Sequence, residues 1–305
     1  MFKLDPDIAA AFVAMAQAAA SGPPQPAIDD LEGQRAFTNA GLTAMFARLP
    51  DTLEVRTVTV DAPIPLSWSW KEGGQTGAAV VYVHGGGMIA GSTTVYQRLI
   101  RHYLELSGVS FLAVGYGLAP EHRDSGLARD VLAAIRWLKD EAAGLGVDPD
   151  RIAIMGDSGG GGVAAAAAIM ARDAGLALAR QILIYPMLDD RNVTPDPLLA
   201  PTASWSYEKN RMAWGHVLGD TAPSHLRAPA RLDDFSGLPP AYIEVGELDI
   251  FRDESIAYAR RLYEAGVSCE LHVHPGAPHG HDWLTVDSAI SRRVFAERAR
   301  VLASL

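Results

Sequence analysis

Ser158 stands in Gly156-Asp157-Ser158-Gly159-Gly160, a G-x-S-x-G pentapeptide with an apolar run before it and an alanine-rich helical pattern after it. That spacing suits a nucleophilic hydroxyl. A serine on a sharp strand-to-helix turn is thrust clear of the backbone, and the residues two positions away must be small for strand and helix to pass so closely. The following helix points its N-terminal dipole at any negative charge that develops there. Two other uses of such glycines fit less well. A phosphate loop needs a Gly-Lys-Ser/Thr that does not follow, and a dinucleotide turn opens directly from a strand, whereas Gly159, Gly161 and Ala164 fall within the helix start.

A serine nucleophile needs a base, and the base needs an orienting acid. Asp249 follows the apolar run Ala241 to Val245, with Glu247 and Asp253 as rivals; Asp253, in "RDES", reads as a helix cap. His272, His274, His279 and His281 crowd the last strand and the loop after it. His279, beyond "PGAP", is placed to reach Ser158, and His281 competes with it. His272 and His274 share one side of a strand, a spacing that can hold a metal, but a partly exposed strand face is the better explanation and no metal is expected.

Acyl transfer builds an oxyanion, and backbone N–H groups aimed at it lower the barrier. His84-Gly85-Gly86-Gly87 ends another apolar run. Glycine lets backbone approach a substrate with no side chain between. Gly85 and Gly86 would supply two N–H groups and Gly159 a third. His84 is expected to hold the loop through its ring nitrogens rather than to react.

These residues need a scaffold that brings strand ends together. The chain has 305 residues, 49% of them hydrophobic, enough for one large core. Strands with one buried face are expected at Leu53 to Val60 and Ile64 to Trp70, and their alternation favours an antiparallel pair. Continuous apolar runs follow at Ala78 to Val83, Phe111 to Val114, Ile152 to Met155, Gln181 to Tyr185, Ala241 to Val245 and Cys269 to Val273. Helical patterns lie at Ser125 to Leu145, Gly159 to Ala174, Arg252 to Ala265 and Val286 to Leu302. Such alternation predicts an α/β fold: an eight-stranded, mostly parallel sheet covered on both faces. Segment 189–237 breaks the alternation with a Pro-, Asp- and Trp-rich stretch and one helix near Trp205 to Leu218. With residues 1–50 it is expected to form a helical cap over the carboxyl ends of the strands, leaving 51–188 and 238–305 as the catalytic domain.

The net charge of -10 argues against nucleic acid or an anionic membrane as the main partner. A single cysteine, Cys269, excludes an internal disulfide and suits a cytoplasmic setting. "IAAAFVAMAQAAA" has the apolar character of a signal peptide, but Asp5 and Asp7 flank Pro6 ahead of it, which reads instead as a capped helix start.

Together "HGGG", "YGLAPEH", "DVLAAIRWL", "DPDRIAIMGDSGGG", "LIYPMLD", "GELDIFRDE" and "PHG" resemble the hormone-sensitive-lipase-like (bacterial family IV) carboxylesterases of the α/β-hydrolase superfamily, from about Leu53 to Leu305. The resemblance implies Ser158 as nucleophile, His279 as base, Asp249 as acid and an oxyanion hole of Gly85, Gly86 and Gly159. It implies short- to medium-chain ester substrates, no cofactor and a homodimer. An amide, lactone or carbamate substrate, acyl transfer, or a non-catalytic binding protein are the alternatives. Met88, Trp205, Tyr207, Met212, Trp214 and His281 are expected at the substrate pocket. Met88, Gly117, Gly159, His281 and "EHRDSG" depart from the family pattern, which puts the substrate in doubt more than the chemistry.

Overall fold

A computed structural model describes the chain except residues 1, 23, 52–54, 61, 74–75 and 124–125. The apolar runs become strands β1 (Arg56–Val60), β2 (Leu66–Trp70), β3 (Ala79–Val83), β4 (Ser110–Val114), β5 (Ile152–Asp157), β6 (Gln181–Ile184), β7 (Ala241–Gly246) and β8 (Cys269–His274). They form one eight-stranded sheet in the order β1-β2-β4-β3-β5-β6-β7-β8. β2 pairs antiparallel with both β1 and β4, and every other pairing is parallel. Every residue of β3, β4, β5, β6 and β7 is buried, as continuous apolar strands covered on both faces require.

The helices are α1 (Pro6–Ser21), α2 (Leu31–Phe46), α3 (Thr93–Ser107), α4 (Gly126–Leu145), α5 (Gly159–Asp173), α6 (Tyr207–Leu218), α7 (Arg252–Glu264), α8 (His281–Leu284) and α9 (Ala289–Ala303). α3 packs on β2, β4 and α9, while α4 and α5 pack together over the central strands and α7 over β7 and β8. The early ends of the expected β1 and α4, at Leu53 and Ser125, lie outside the described residues. The helix expected from Val286 to Leu302 is α9 and starts three residues later, at Ala289, because the Ser288 side chain caps it by accepting from Ser291 N; the short α8 precedes it and was not expected.

α3 was absent from the sequence reading. Its signals are local: Ser92 Oγ accepts from Val95 N at 3.1 Å, Gly108 ends the helix at φ 71°, and Tyr96, Leu99, Ile100, Tyr103 and Leu104 form its buried face. α1 begins as expected, with Asp5 Oδ1 accepting from Asp7 N at 3.0 Å. Arg35 of α2 fastens that helix to the sheet side of the molecule, donating to Ile89 O and Ala119 O at 2.8 Å each.

Candidate active site

β5 runs straight into Ser158, whose backbone is held at φ 54°, ψ -125°. A non-glycine residue there carries strain of about 1–3 kcal/mol. The surrounding glycines explain how it persists. A Cβ on Gly156 would overlap Gly160 O, and one on Gly160 would overlap Val83 O and His84 O. Strand, turn and glycine loop are therefore in backbone contact. Ser158 N donates to Ile184 O at 2.9 Å, and Ser158 O accepts from Met187 N at 2.9 Å, which fixes the turn from the β6 side.

The hydroxyl of Ser158 meets His279 from the loop after β8. His279 Nε2 lies 2.8 Å from Ser158 Oγ, and His279 Nδ1 lies 2.7 Å from Asp249 Oδ2. Asp249, wholly buried, is oriented in turn by Phe251 N, which donates to Oδ1 at 2.9 Å. With Nδ1 donating to the carboxylate, Nε2 presents its lone pair to the hydroxyl. The rival acids go elsewhere. Glu247 accepts from Gly276 N at 3.0 Å, and Asp253 pairs with Arg252 at 2.7 Å. Asp253 does not cap α7: the capping position belongs to Phe251, with no side-chain cap bond.

The Gly86 amide donates to no other group among the described residues, whereas the Gly85 amide faces the Tyr96 hydroxyl oxygen. Gly159 N, at the first position of α5, has no carbonyl one turn earlier in its helix. A Cβ on Gly159 would stand 2.6 Å from Met88 N, so the glycine loop passes directly over the start of α5. His84 sits beneath this loop, with Nδ1 2.9 Å from Gly85 O and its ring stacked on Tyr116 at 4.4 Å. Burial pushes the His84 imidazole down to about 4, only partly opposed by the bond to Gly85.

The family description alpha/beta hydrolase fold matches residues 80–282. The chain is 33% identical to an ethyl acetate hydrolase of Pseudomonas putida over 94% of both chains. It is 37% identical to the carboxylesterase NlhH of Mycobacterium tuberculosis over 75% of both. A solved bacterial heroin esterase superposes with a TM-score of 0.88 at 33% identity, covering 99% of this chain and 98% of the other. The chain belongs to the hormone-sensitive-lipase-like carboxylesterases.

In this carboxylesterase a cavity of about 250 Å³ opens over Ser158 and His279. Met15 of α1, Phe37, Leu42 and Met45 of α2, and Trp205 and Lys209 at the start of α6 wall it. A larger cavity of about 710 Å³ shares Met15, Gly41, Met45 and Leu284 with it but touches neither Ser158 nor His279. Ser158 and His279 line only the smaller one.

Of the residues expected at the pocket, Trp205 lines it, with its indole tip against Gly87. The others do not, for reasons of direction. Met88 is 1% exposed and turns its side chain under α5, where a Cβ on Gly162 would lie 2.8 Å from Met88 Cε. Only the first turn of α6 reaches the cavity. Tyr207 and Trp214 are buried toward the body of the protein, and Met212 packs against the same core. His281 is wholly buried, with Nδ1 3.1 Å from Pro278 O and Nε2 without a hydrogen-bond partner among the described residues.

A buried ionic cluster lies behind the His279 loop. Arg298, wholly buried, bonds Glu244 of β7, Asp282 of α8 and Tyr103 Oη, the last at 2.9 Å. Tyr185 Oη donates to Asp282 at 3.1 Å while its ring packs edge-on to His279 at 4.8 Å. The two histidines of β8 separate: His272 pairs with Glu270 at 2.8 Å, while His274 lies 3.9 Å from Glu244. His274, His281 and Glu244 bring one ligand atom each within 4.8 Å of one another. Among the described residues no helix is long and apolar enough to cross a membrane.

Proposed function

We propose that this carboxylesterase hydrolyses short- to medium-chain acyl esters through an acyl-enzyme. The carrying observation is the single ring of His279, which meets Ser158 Oγ at 2.8 Å on one side and Asp249 Oδ2 at 2.7 Å on the other.

In this mechanism His279 Nε2 takes the hydroxyl proton as Ser158 Oγ attacks the ester carbonyl, and Asp249 stabilises the imidazolium that forms. The N–H groups of Gly85, Gly86 and Gly159 receive the oxyanion, each donor contributing about 3 kcal/mol in the transition state. The imidazolium returns its proton to the leaving alkoxide oxygen, and the alcohol departs. Water, deprotonated by the same nitrogen, then attacks the acyl-enzyme, and collapse of the second oxyanion releases the acid and restores Ser158. No step calls for a metal or a cofactor, and the family pattern adds a cytoplasmic homodimer to the proposal.

The substrate range follows from the walls. A cavity of about 250 Å³ is small beside sites for drug-sized ligands, which run from about 300 Å³ upward, so short acyl groups suit it. We assign residues 1–50 and 189–237 to a cap, because these two segments together supply just over half of the residues that line the cavity.

The test is a panel of 4-nitrophenyl esters from acetate to palmitate, with amide, lactone and carbamate controls. Ser158→Ala and His279→Ala should each lower kcat by about 10⁵-fold in folded protein. His281→Ala should retain most of the activity, since His281 touches neither Ser158 nor the cavity. Undiminished turnover in Ser158→Ala, or a severe loss confined to His281→Ala, would contradict the assignment.

A further inference from the structure

The pocket over Ser158 holds one permanently charged side chain among the described residues, and it is a cation. Lys209 lines the cavity beside Phe37, Trp205 and Gln25, and no aspartate or glutamate among the described residues lines it. The ammonium stands 5.3 Å over the centroid of the Phe37 ring. No carboxylate pairs with the ammonium among the described residues and no hydrogen bond reaches it there; the backbone of Lys209 donates to Ser206 Oγ at 3.2 Å.

This placement is unfavourable for the protein alone. Partial burial lowers the Lys209 pKa, and no neighbouring charge offsets that effect. Lys209 also occupies the first turn of α6, where the helix dipole disfavours a cation. A face of Phe37 returns about 0.5–1 kcal/mol at a half-exposed site. Elsewhere the chain pairs its cations freely: Arg35 with Glu121, Arg98 with Asp51, Arg231 with Asp190. In an acidic chain of net charge -10, an unpaired cation inside an acid-free pocket is a local reversal of sign.

We propose that Lys209 selects esters that carry a free carboxylate, with the ester at Ser158 and the carboxylate ion-paired to the Lys209 ammonium. The inference rests on ester hydrolysis at Ser158. The carboxylate is a spectator: the ester C–O bond breaks, water supplies the new acid oxygen, and the ion pair only orients the substrate. A pocket of about 250 Å³ shared by both groups limits the spacer between ester and carboxylate to a few carbons. The substrate class is therefore the short monoesters of dicarboxylic acids and the O-acyl hydroxy acids, which differ only in the arm that bears the charge.

The experiment compares kcat/KM for monomethyl glutarate and 3-acetoxypropanoate with the values for their uncharged primary amides, using 4-nitrophenyl acetate as an activity control. In the wild type, at least one acid should exceed its amide by about tenfold, equivalent to about 1.4 kcal/mol. Rising salt should shrink that ratio, because the pair is partly solvent-screened. Lys209→Met should bring it to about one, and Lys209→Glu should invert it. The wild-type salt series stands alone if the variants fold poorly. Acid-to-amide ratios at or below one on both arms, or a preference that Lys209→Met leaves intact, would overturn the assignment while hydrolysis of 4-nitrophenyl acetate kept the esterase reading. Loss of activity toward the control as well would remove both.

Discussion

Two loops carry the groups proposed to react, and each rests on buried acid of a different kind. The glycine loop after β3 lies on Asp157, whose carboxylate accepts from Tyr82 Oη at 2.6 Å and Tyr96 Oη at 3.0 Å. The histidine loop after β8 lies on Glu244 and Asp282, with Arg298 between them. Burial pushes Asp157 up to about 6, against the two tyrosine hydrogen bonds that pull it down. Burial also acts to raise Glu244, but the charge and hydrogen bonds of Arg298, with the His274 ring nearby, outweigh it and hold the carboxyl well below its ordinary range. Hydroxyl donors thus leave a buried carboxylate only partly compensated, whereas a full cation overcompensates it. The difference suits what each loop presents. The glycine loop offers backbone, fixed by backbone contacts on all sides, and the histidine loop offers a side chain that needs a rigid mount.

Removing the cation should break the contrast most severely. Arg298→Leu leaves Glu244 and Asp282 buried with no cation between them, and orphaning a buried charge in this way costs about 3–5 kcal/mol. Urea unfolding at neutral pH measures it. A loss under about 1 kcal/mol would mean that the cluster is solvated or that its acids go neutral without penalty, and the two loops would then rest on equivalent foundations.

The other foundation should reveal itself through pH. An unfolded aspartate titrates near about 3.9. Because Asp157 titrates at about 6 in the fold, native protein keeps a proton that the unfolded chain has already released between those values. The native state binds more protons across that window, so stability falls as pH rises through it. Below about pH 4 the penalty is absent, and above about pH 6 it is complete, of the order of 3 kcal/mol. Asp157→Asn does not titrate there. The stability of the wild type relative to that variant should therefore decline from pH 4 to pH 7, read from urea midpoints at each pH. A difference that stays flat, or that rises with pH, would show that the tyrosine donors compensate Asp157 as fully as Arg298 does its partners.

The sequence carried the strands and the reacting row more openly than it carried these foundations. Six continuous apolar runs and two alternating segments sufficed for the sheet, since strands buried on both faces leave continuous β-rich segments and half-buried ones alternate. Ser158, Asp249 and His279 stand at strand ends in a readable order. Arg298 did not show itself, because it meets Glu244 and Tyr103 across separations of 54 and 195 residues, and an arginine in a helical pattern reads as solvated. Lys209 was hidden for the same reason. Met88, Tyr207, Met212 and Trp214 were legible as large apolar residues near the site, but which way each points depends on loop twist and helix phase, and composition does not contain either. α3 was legible and was passed over, its cap, stop and buried face all being local.

The smallest effect concerns the seam where the glycine loop crosses α5. Gly159 opens that helix, and alanine there would ordinarily help, since Gly→Ala at a compatible helical position gains about 0.4–1 kcal/mol. Its φ is not in the left-handed region, so the backbone raises no objection. Space does. A Cβ would come within 2.6 Å of Met88 N and 2.9 Å of Gly87 C, and these are backbone atoms that cannot swing aside as a flexible side chain would. The family pattern has alanine at this position, so accommodation is possible in principle, but here it requires the whole glycine loop to lift away from Ser158. A shift of a few tenths of an ångström to one ångström would move the glycine-loop amides away from their proposed place at the oxyanion. Gly159→Ala should therefore unfold at a similar or slightly higher temperature while kcat falls by about 10- to 100-fold, with KM less affected because the walls of the pocket come from α1, α2 and α6. Full activity in that variant would show that the loop follows the added methyl without losing its aim, and that the glycine loop, for all its backbone contacts, is the more yielding of the two.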